Sequence, residues 1–132
     1  MKEKLTKLQA LKAMTQFLEI YYEQTKSDDI GSLLGDIDTE LFSDSQTADP
    51  AAWKDWTGSV NAVLNGQAEE RLTKLQAYNS MRSFLEGYRK RTNSDDIRLL
   101  LDGMEIISDR NTVDPVAWYY WINSVDKALK EK

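Results

Sequence analysis

The sequence contains neither cysteine nor histidine. Without cysteine there are no disulfides and no thiolate metal ligands. Without histidine, the commonest metal ligand and the usual general base at neutral pH are both missing. Ser-His-Asp triads, Cys-His pairs and H-E-x-x-H zinc sites are therefore excluded. Prolines number two and glycines six, which leaves room for long helices. No run of about 18 apolar residues occurs, so no membrane-spanning helix is expected. Residues Met1 to Gln9 are charged at short intervals and lack an apolar h-region, so they do not read as a secretory signal. A cytoplasmic protein is the resulting expectation. Basic excess is absent too: the net charge is −5, which argues against direct nucleic-acid binding. No Gly-rich phosphate loop is present, which closes the nucleotide route.

Hydrophobic residues make up 41% and charged residues 30% of the 132, enough to bury a core and remain well solvated. Their arrangement is repetitive. At an offset of 67, Leu5-Thr6-Lys7-Leu8-Gln9-Ala10 matches Leu72-Thr73-Lys74-Leu75-Gln76-Ala77 letter for letter. Phe17-Leu18-Glu19 meets Phe84-Leu85-Glu86, Tyr21 meets Tyr88, and Ser27-Asp28-Asp29-Ile30 meets Ser94-Asp95-Asp96-Ile97. After a gap of two residues the match resumes at an offset of 65: Asp49-Pro50 meets Asp114-Pro115, and Trp53 and Trp56 meet Trp118 and Trp121. Matches this dense mark a duplication.

Each copy reads as three helices. Leu5, Leu8, Leu11, Met14, Leu18 and Tyr21 recur at helical spacing, as do Leu72, Leu75, Tyr78, Met81, Leu85 and Tyr88. Ser27 and Ser94 are natural N-caps for a second, shorter helix, with acids in its first turn. Asp49-Pro50 and Asp114-Pro115 open a third helix, with proline where a missing N–H is tolerated. The fold class expected is all-α: two tandem homologous three-helix units, residues 1–66 and 67–132, packed together as one domain. Residues 3–65 and 70–130 should superpose. Gly66-Gln67-Ala68 is the joint, with the next helix starting from Glu69, Glu70 and Arg71.

The copies differ in charge. Residues 1–66 hold six lysines, no arginine and eleven acids, for a net of −5. Residues 67–132 hold five lysines, six arginines and eleven acids, for a net of zero. The first copy also has a loop two residues longer, from Asp36 to Asp44, which sets Leu41 and Phe42 among acids. Acids that steer an encounter, with apolar anchors among them, suit a basic protein partner. The candidate partner-binding residues are Asp36, Asp38, Glu40, Phe42 and Asp44, with the shorter loop around Glu105 to Asp109 contributing less. The plainer reading is a solvated acidic loop. Arg82, Arg89 and Arg91 mark the alternative face.

Other features read as scaffold. Asp36-x-Asp38-x-Glu40 is not an EF-hand, because Leu41 stands at the glycine position and Thr47 at the terminal acid. Asp28-Asp29 is a helix-start pair rather than a catalytic dyad. Tryptophans at helical spacing beside valines and leucines are core rather than stacking platforms. No catalytic residue, metal or cofactor is expected.

The twice-used pattern F-L-E-x-Y-x-x-x-T-x-S-D-D-I-x-x-L-L, followed by D-P-x-x-W-x-x-W, resembles small bacterial immunity proteins. These are encoded beside polymorphic toxins, including those of contact-dependent growth inhibition. The likeness rests on Tyr22 to Asp36 and Ala48 to Trp56, and covers almost the whole chain once per copy. The second copy departs from it, with Arg98 in place of Gly31 and Asp102-Gly103 in place of Gly35-Asp36. The resemblance implies a cytoplasmic protein without an active site, and a monomer is expected. It would bind a cognate toxin domain, often a basic nuclease, and cover its cleft, with the acidic copy mimicking phosphates. The alternative is a non-enzymatic helical adaptor or regulatory module with no toxin. An enzyme would have to work with carboxylates, lysines and tyrosines alone. An immunity gene lies directly downstream of a large secreted toxin gene, which separates the first two readings.

Overall fold

The computed structural model describes residues 4–38, 47, 49–66, 71–108 and 111–130. In it, Thr6 and Thr73 start the two longest helices in the same way. Each threonine side chain accepts from the backbone N–H three residues on, and Gln9 or Gln76 reaches back to the threonine N–H. This reciprocal capping satisfies two donors that a helix start otherwise leaves bare. The helices that follow are α1 (Lys7–Thr25), α2 (Asp28–Asp36), α3 (Pro50–Leu64), α4 (Lys74–Thr92), α5 (Asp95–Met104) and α6 (Pro115–Lys130). α1 and α4 stop at Lys26 and Asn93, both in the left-handed conformation, with φ of 53° and 56°. Asn65 and Gly66 leave α3 in the same region, at φ 50° and 82°.

Among the described residues, the structure departs from a purely helical reading at two places. Leu5–Thr6 (β1) pairs antiparallel with Arg71–Leu72 (β2), Leu5 opposite Leu72. Ile106–Ser108 (β3) pairs with Asn111–Thr112 (β4). The first ladder has a packing cause: Leu5 and Leu72 are fully buried, and extended backbone brought into the core needs partners for its N–H and C=O groups. Leu5 and Leu72 thus belong to strands rather than to the helical stripe, and α4 starts at Lys74 rather than at Glu69. Leu75, placed on that stripe by its spacing, is 47% exposed.

The helices pack chiefly across the chain's midpoint. α1 lies along α6, and α3 lies along α4. Two tryptophans pin this exchange. Trp56 Nε1–H donates to the Lys7 carbonyl at 3.0 Å, while its ring meets Phe84 edge-on at 6.1 Å. Trp121 Nε1–H donates to the Lys74 carbonyl at 3.0 Å, and its ring meets Phe17 edge-on at 6.1 Å. Each indole bonds within its own half and stacks on the other. Trp53 and Trp118 are half-buried against the same core.

The short helices lock the halves at their N-termini. Ser27 Oγ accepts from the Ile30 N–H as a cap and donates to Asp96 at 2.6 Å. Ser94 Oγ accepts from the Ile97 N–H and donates to Asp29 at 2.5 Å. Contacts in which residue i meets j, and the counterpart of j meets the counterpart of i, are those of a two-fold interface. Here both sides belong to one chain. A capping serine contributes about 1 kcal/mol, and the charge-assisted bond to the opposite aspartate adds to it.

Candidate partner-binding cleft

Asp36 is the last residue of α2, and its carbonyl accepts from the Asp49 N–H at 3.0 Å. That bond carries the chain back beside α2 just before Pro50 starts α3. Asp49 caps α3, its carboxylate accepting from the Ala51 N–H at 3.0 Å. One and a half turns later, Asp55 points across to α4 and pairs with Arg91 at 2.5 Å. Between these carboxylates and the α4 side chains Phe84, Tyr88 and Arg91 lies a cleft of about 360 Å³. Leu33 and Ala52 floor it. Past the Asp55–Arg91 pair a second hollow of about 350 Å³ follows the α3–α4 crossing, lined in part by Gly58 and Gly87.

Burial pushes the Asp36 carboxyl above the usual carboxylate range. Asp49 raises it further, and Arg91 opposes the shift. Burial also raises the Tyr88 phenol, helped by Asp36 and Asp29 and opposed by Arg91. Asp36 additionally sits at a helix C-terminus, the end that disfavours negative charge. In the folded chain Asp36 therefore holds its proton more tightly than in the unfolded chain. Its effect on stability is nil below the ordinary carboxylate pKa, and stability falls as pH rises from there through the raised value. Asp36→Asn removes that slope. We expect a gain at pH 7 of up to about 0.5 kcal/mol, read from urea midpoints, that vanishes in acid. A variant less stable than the parent at pH 7 would contradict this assignment.

The same place in the other half is occupied by the chain itself. Asp55 corresponds to Tyr120, Arg91 to Gln24, Tyr88 to Tyr21, Asp49 to Asp114 and Asp36 to Gly103. Tyr120 stands edge-on to Tyr21 at 5.7 Å, and its hydroxyl accepts from Gln24 Nε2 at 3.0 Å. Tyr21 donates in turn to Asp114 at 3.4 Å, and burial, then Asp114, raises its phenol well above the ordinary value. A side chain at Gly103 would place its Cβ 3.2 Å from the Asp114 Cβ, so glycine allows α5 to end close against that turn. Asn123 and Ile20 stand where the open side has Gly58 and Gly87. One half thus fills its cleft with a tyrosine, and the other leaves a space bordered by three carboxylates and one guanidinium.

Of the loop residues singled out by sequence, Asp36 lines the cleft. Asp38 follows α2, half-buried, its N–H 3.5 Å from the Gly35 carbonyl. Glu40, Phe42 and Asp44 lie outside the described residues. Asp49, Asp55 and Tyr88 are not among the candidate residues that the sequence singles out, and Arg91 stands there only on the alternative face. The signal that points to them is the pair of exchanges Asp55 for Tyr120 and Arg91 for Gln24, visible in the self-comparison. On the alternative face, Arg89 pairs with Glu86 on its own helix and Arg91 is drawn into the cleft. The shorter loop forms part of β3 from Ile106 to Ser108, with Asp109 outside the described residues. Among the described residues, no cluster of three carboxylates is placed to hold a metal ion, and no helix is long and apolar enough to cross a membrane. No family model matches the chain, and no curated protein or solved structure does either.

Proposed function

We propose that the protein is an immunity protein, which binds a cognate bacterial toxin domain and blocks its active site. In this reading the chain is two homologous three-helix units, 1–66 and 67–132, folded into each other, and it works in the cytoplasm without chemistry of its own. The partner is a basic protein such as a nuclease, because an acidic surface imitates phosphates. The observation that carries the reading is the one-sided divergence of the halves. The entire net charge of −5 lies in residues 1–66. The three carboxylates that border the open cleft, Asp36, Asp49 and Asp55, come from the same residues, and the longer acidic loop leaves from its edge at Asp36. Folding supplies no reason for this asymmetry, since the second half manages without it.

Asp38→Ala, Glu40→Ala and Phe42→Ala test the site. Truncating an interface anchor typically weakens binding by about 2 kcal/mol or more, roughly thirtyfold. Surface changes away from it stay within about 0.5 kcal/mol of parental stability. We expect all three variants to melt like the parent and at least one to lose that affinity for the toxin domain. Association should also slow steeply as salt rises and the Debye length shrinks to about 8 Å. Parental affinity in all three, or a salt-independent association rate, removes the acidic loop from the interface.

A further inference from the structure

We propose that two contacts between the halves, Asp55 with Arg91 and Tyr120 with Gln24, select the unlike half as partner and so keep separate copies of the chain from exchanging halves. Exchange of an identical element between copies is a low-cost route to dimers, and most of the surface that joins the halves invites it. Trp56 meets Phe84 as Trp121 meets Phe17. Ser27 meets Asp96 as Ser94 meets Asp29, and Leu5 faces Leu72. These contacts fit two first halves, or two second halves, as well as they fit the native pair. The distinction matters when many copies fold together, because the first half is synthesised before the second, at about 5–20 residues per second. Until its own partner follows, the only halves of this chain that it meets nearby are other first halves.

Two positions on each half break the likeness, and they touch each other. Asp55 on α3 corresponds to Tyr120 on α6, and Arg91 on α4 corresponds to Gln24 on α1. Across the interface Asp55 pairs with Arg91, while the Tyr120 hydroxyl accepts from Gln24. Both differences thus fall at one contact and complement each other there: carboxylate with guanidinium on one side, phenol with amide on the other. In a pair of first halves, Asp55 would face Gln24 at both sites without its guanidinium, and two net charges of −5 would be brought together. In a pair of second halves, Arg91 would face Tyr120 without a carboxylate. The Asp55–Arg91 pair is partly exposed, at 41% and 54%, and an exposed ion pair shifts an equilibrium by up to about fivefold. Re-pairing two chains like with like loses two such pairs, and charge repulsion adds to the loss.

The test refolds the full chain from urea at up to about 0.5 mM, near the millimolar concentration at which a short linker presents one half to the other. Size-exclusion chromatography with light scattering reads the monomer fraction. The parent should refold to monomer. Asp55→Tyr with Arg91→Gln gives both sites the phenol–amide pair, and Tyr120→Asp with Gln24→Arg gives both sites the ion pair. Each double variant makes the halves interchangeable, and its dimeric or larger fraction should exceed the parent's at least about fivefold. All four changes together move each pair to the opposite site, restore the distinction and should return the monomer. A merely structural role of these residues does not produce that rescue. Asp55→Asn keeps the size and removes the charge, so it should shift the fraction in the same direction by less, and it serves if a double variant fails to fold. Folded variants as monomeric as the parent overturn the proposal. So does a parent that dimerises as readily as they do, or a fourfold variant that dimerises like the doubles.

Discussion

Residues 1–66 and 67–132, produced as separate chains, should each fail to fold as a monomer and should assemble into the native fold when mixed. α1 has its main partner in α6, and α3 has its main partner in α4. Separating the halves therefore strips Phe17 from Trp121 and Trp56 from Phe84. It also breaks the β1–β2 ladder and exposes the buried Leu5 and Leu72. Both short helices lose the aspartate that holds the capping serine. A chain of about 65 residues is marginal even with its core intact, because small domains bury a smaller fraction of their surface. Circular dichroism of each half, alone and mixed at equal concentration, reads the result, with size-exclusion chromatography giving the assembly. Helical signal and a cooperative melt should appear on mixing. A homodimer of one half would be consistent with the exchange of helices, since each half carries both interlocking surfaces. A half that melts cooperatively as a monomer would contradict it.

Trp56→Ala and Trp121→Ala should each destabilise the chain by about 3–5 kcal/mol, a large part of the roughly 5–15 kcal/mol that holds a domain together. Both side chains are fully buried, so truncation leaves a cavity at the point where the halves meet. It also leaves the carbonyls of Lys7 and Lys74, at the starts of α1 and α4, without the indole N–H. Phenylalanine at either position restores most of the volume and none of the hydrogen bond, so its effect should lie between parent and alanine. Urea denaturation of the four variants separates the two contributions. Midpoints within about 0.5 kcal/mol of the parent would mean that the tryptophans do not join the halves. Trp53 and Trp118, only half-buried, should tolerate alanine better than their deeper neighbours.

Local signals in the sequence carried the helices well. Ser27, Ser94, Asp49 and Pro50 stand at helix starts, as their side-chain chemistry demands. The duplication made each assignment twice. Leu5 and Leu72 show where local reading stops. Their spacing fits the helical stripe, but Thr6 and Thr73 are the caps, and what lies before a cap is extended. That the two extended pieces pair with each other depends on the fold bringing residues 67 positions apart together, which no local pattern encodes. The exchange of helices between halves is invisible for a related reason. In a duplicated chain, an apolar face on α1 suits α3 and α6 equally, since their tryptophans and valines match.

Charge patterning draws attention to the first copy and to Asp36, which lines the cleft. It then favours the loop beyond, where acids are densest in sequence. The cleft is built instead from residues dispersed along the chain, with Asp55 on α3 and Tyr88 and Arg91 on α4. Repeat comparison weighs matches as evidence of scaffold, and Asp55 against Tyr120 registers there only as a mismatch. Its meaning emerges once Tyr120 is seen against Tyr21, filling the space that Asp55 leaves open.

The immunity proposal is tested most directly by expressing the product of the gene immediately upstream of this chain in cells and measuring their survival with and without the chain itself. Protection is predicted, together with a stable complex of the two purified proteins and loss of protection when the acidic residues of the loop and cleft are neutralised together in a variant that still folds. Cells that die equally with and without the chain, or an upstream gene that encodes no toxin, would contradict the immunity function.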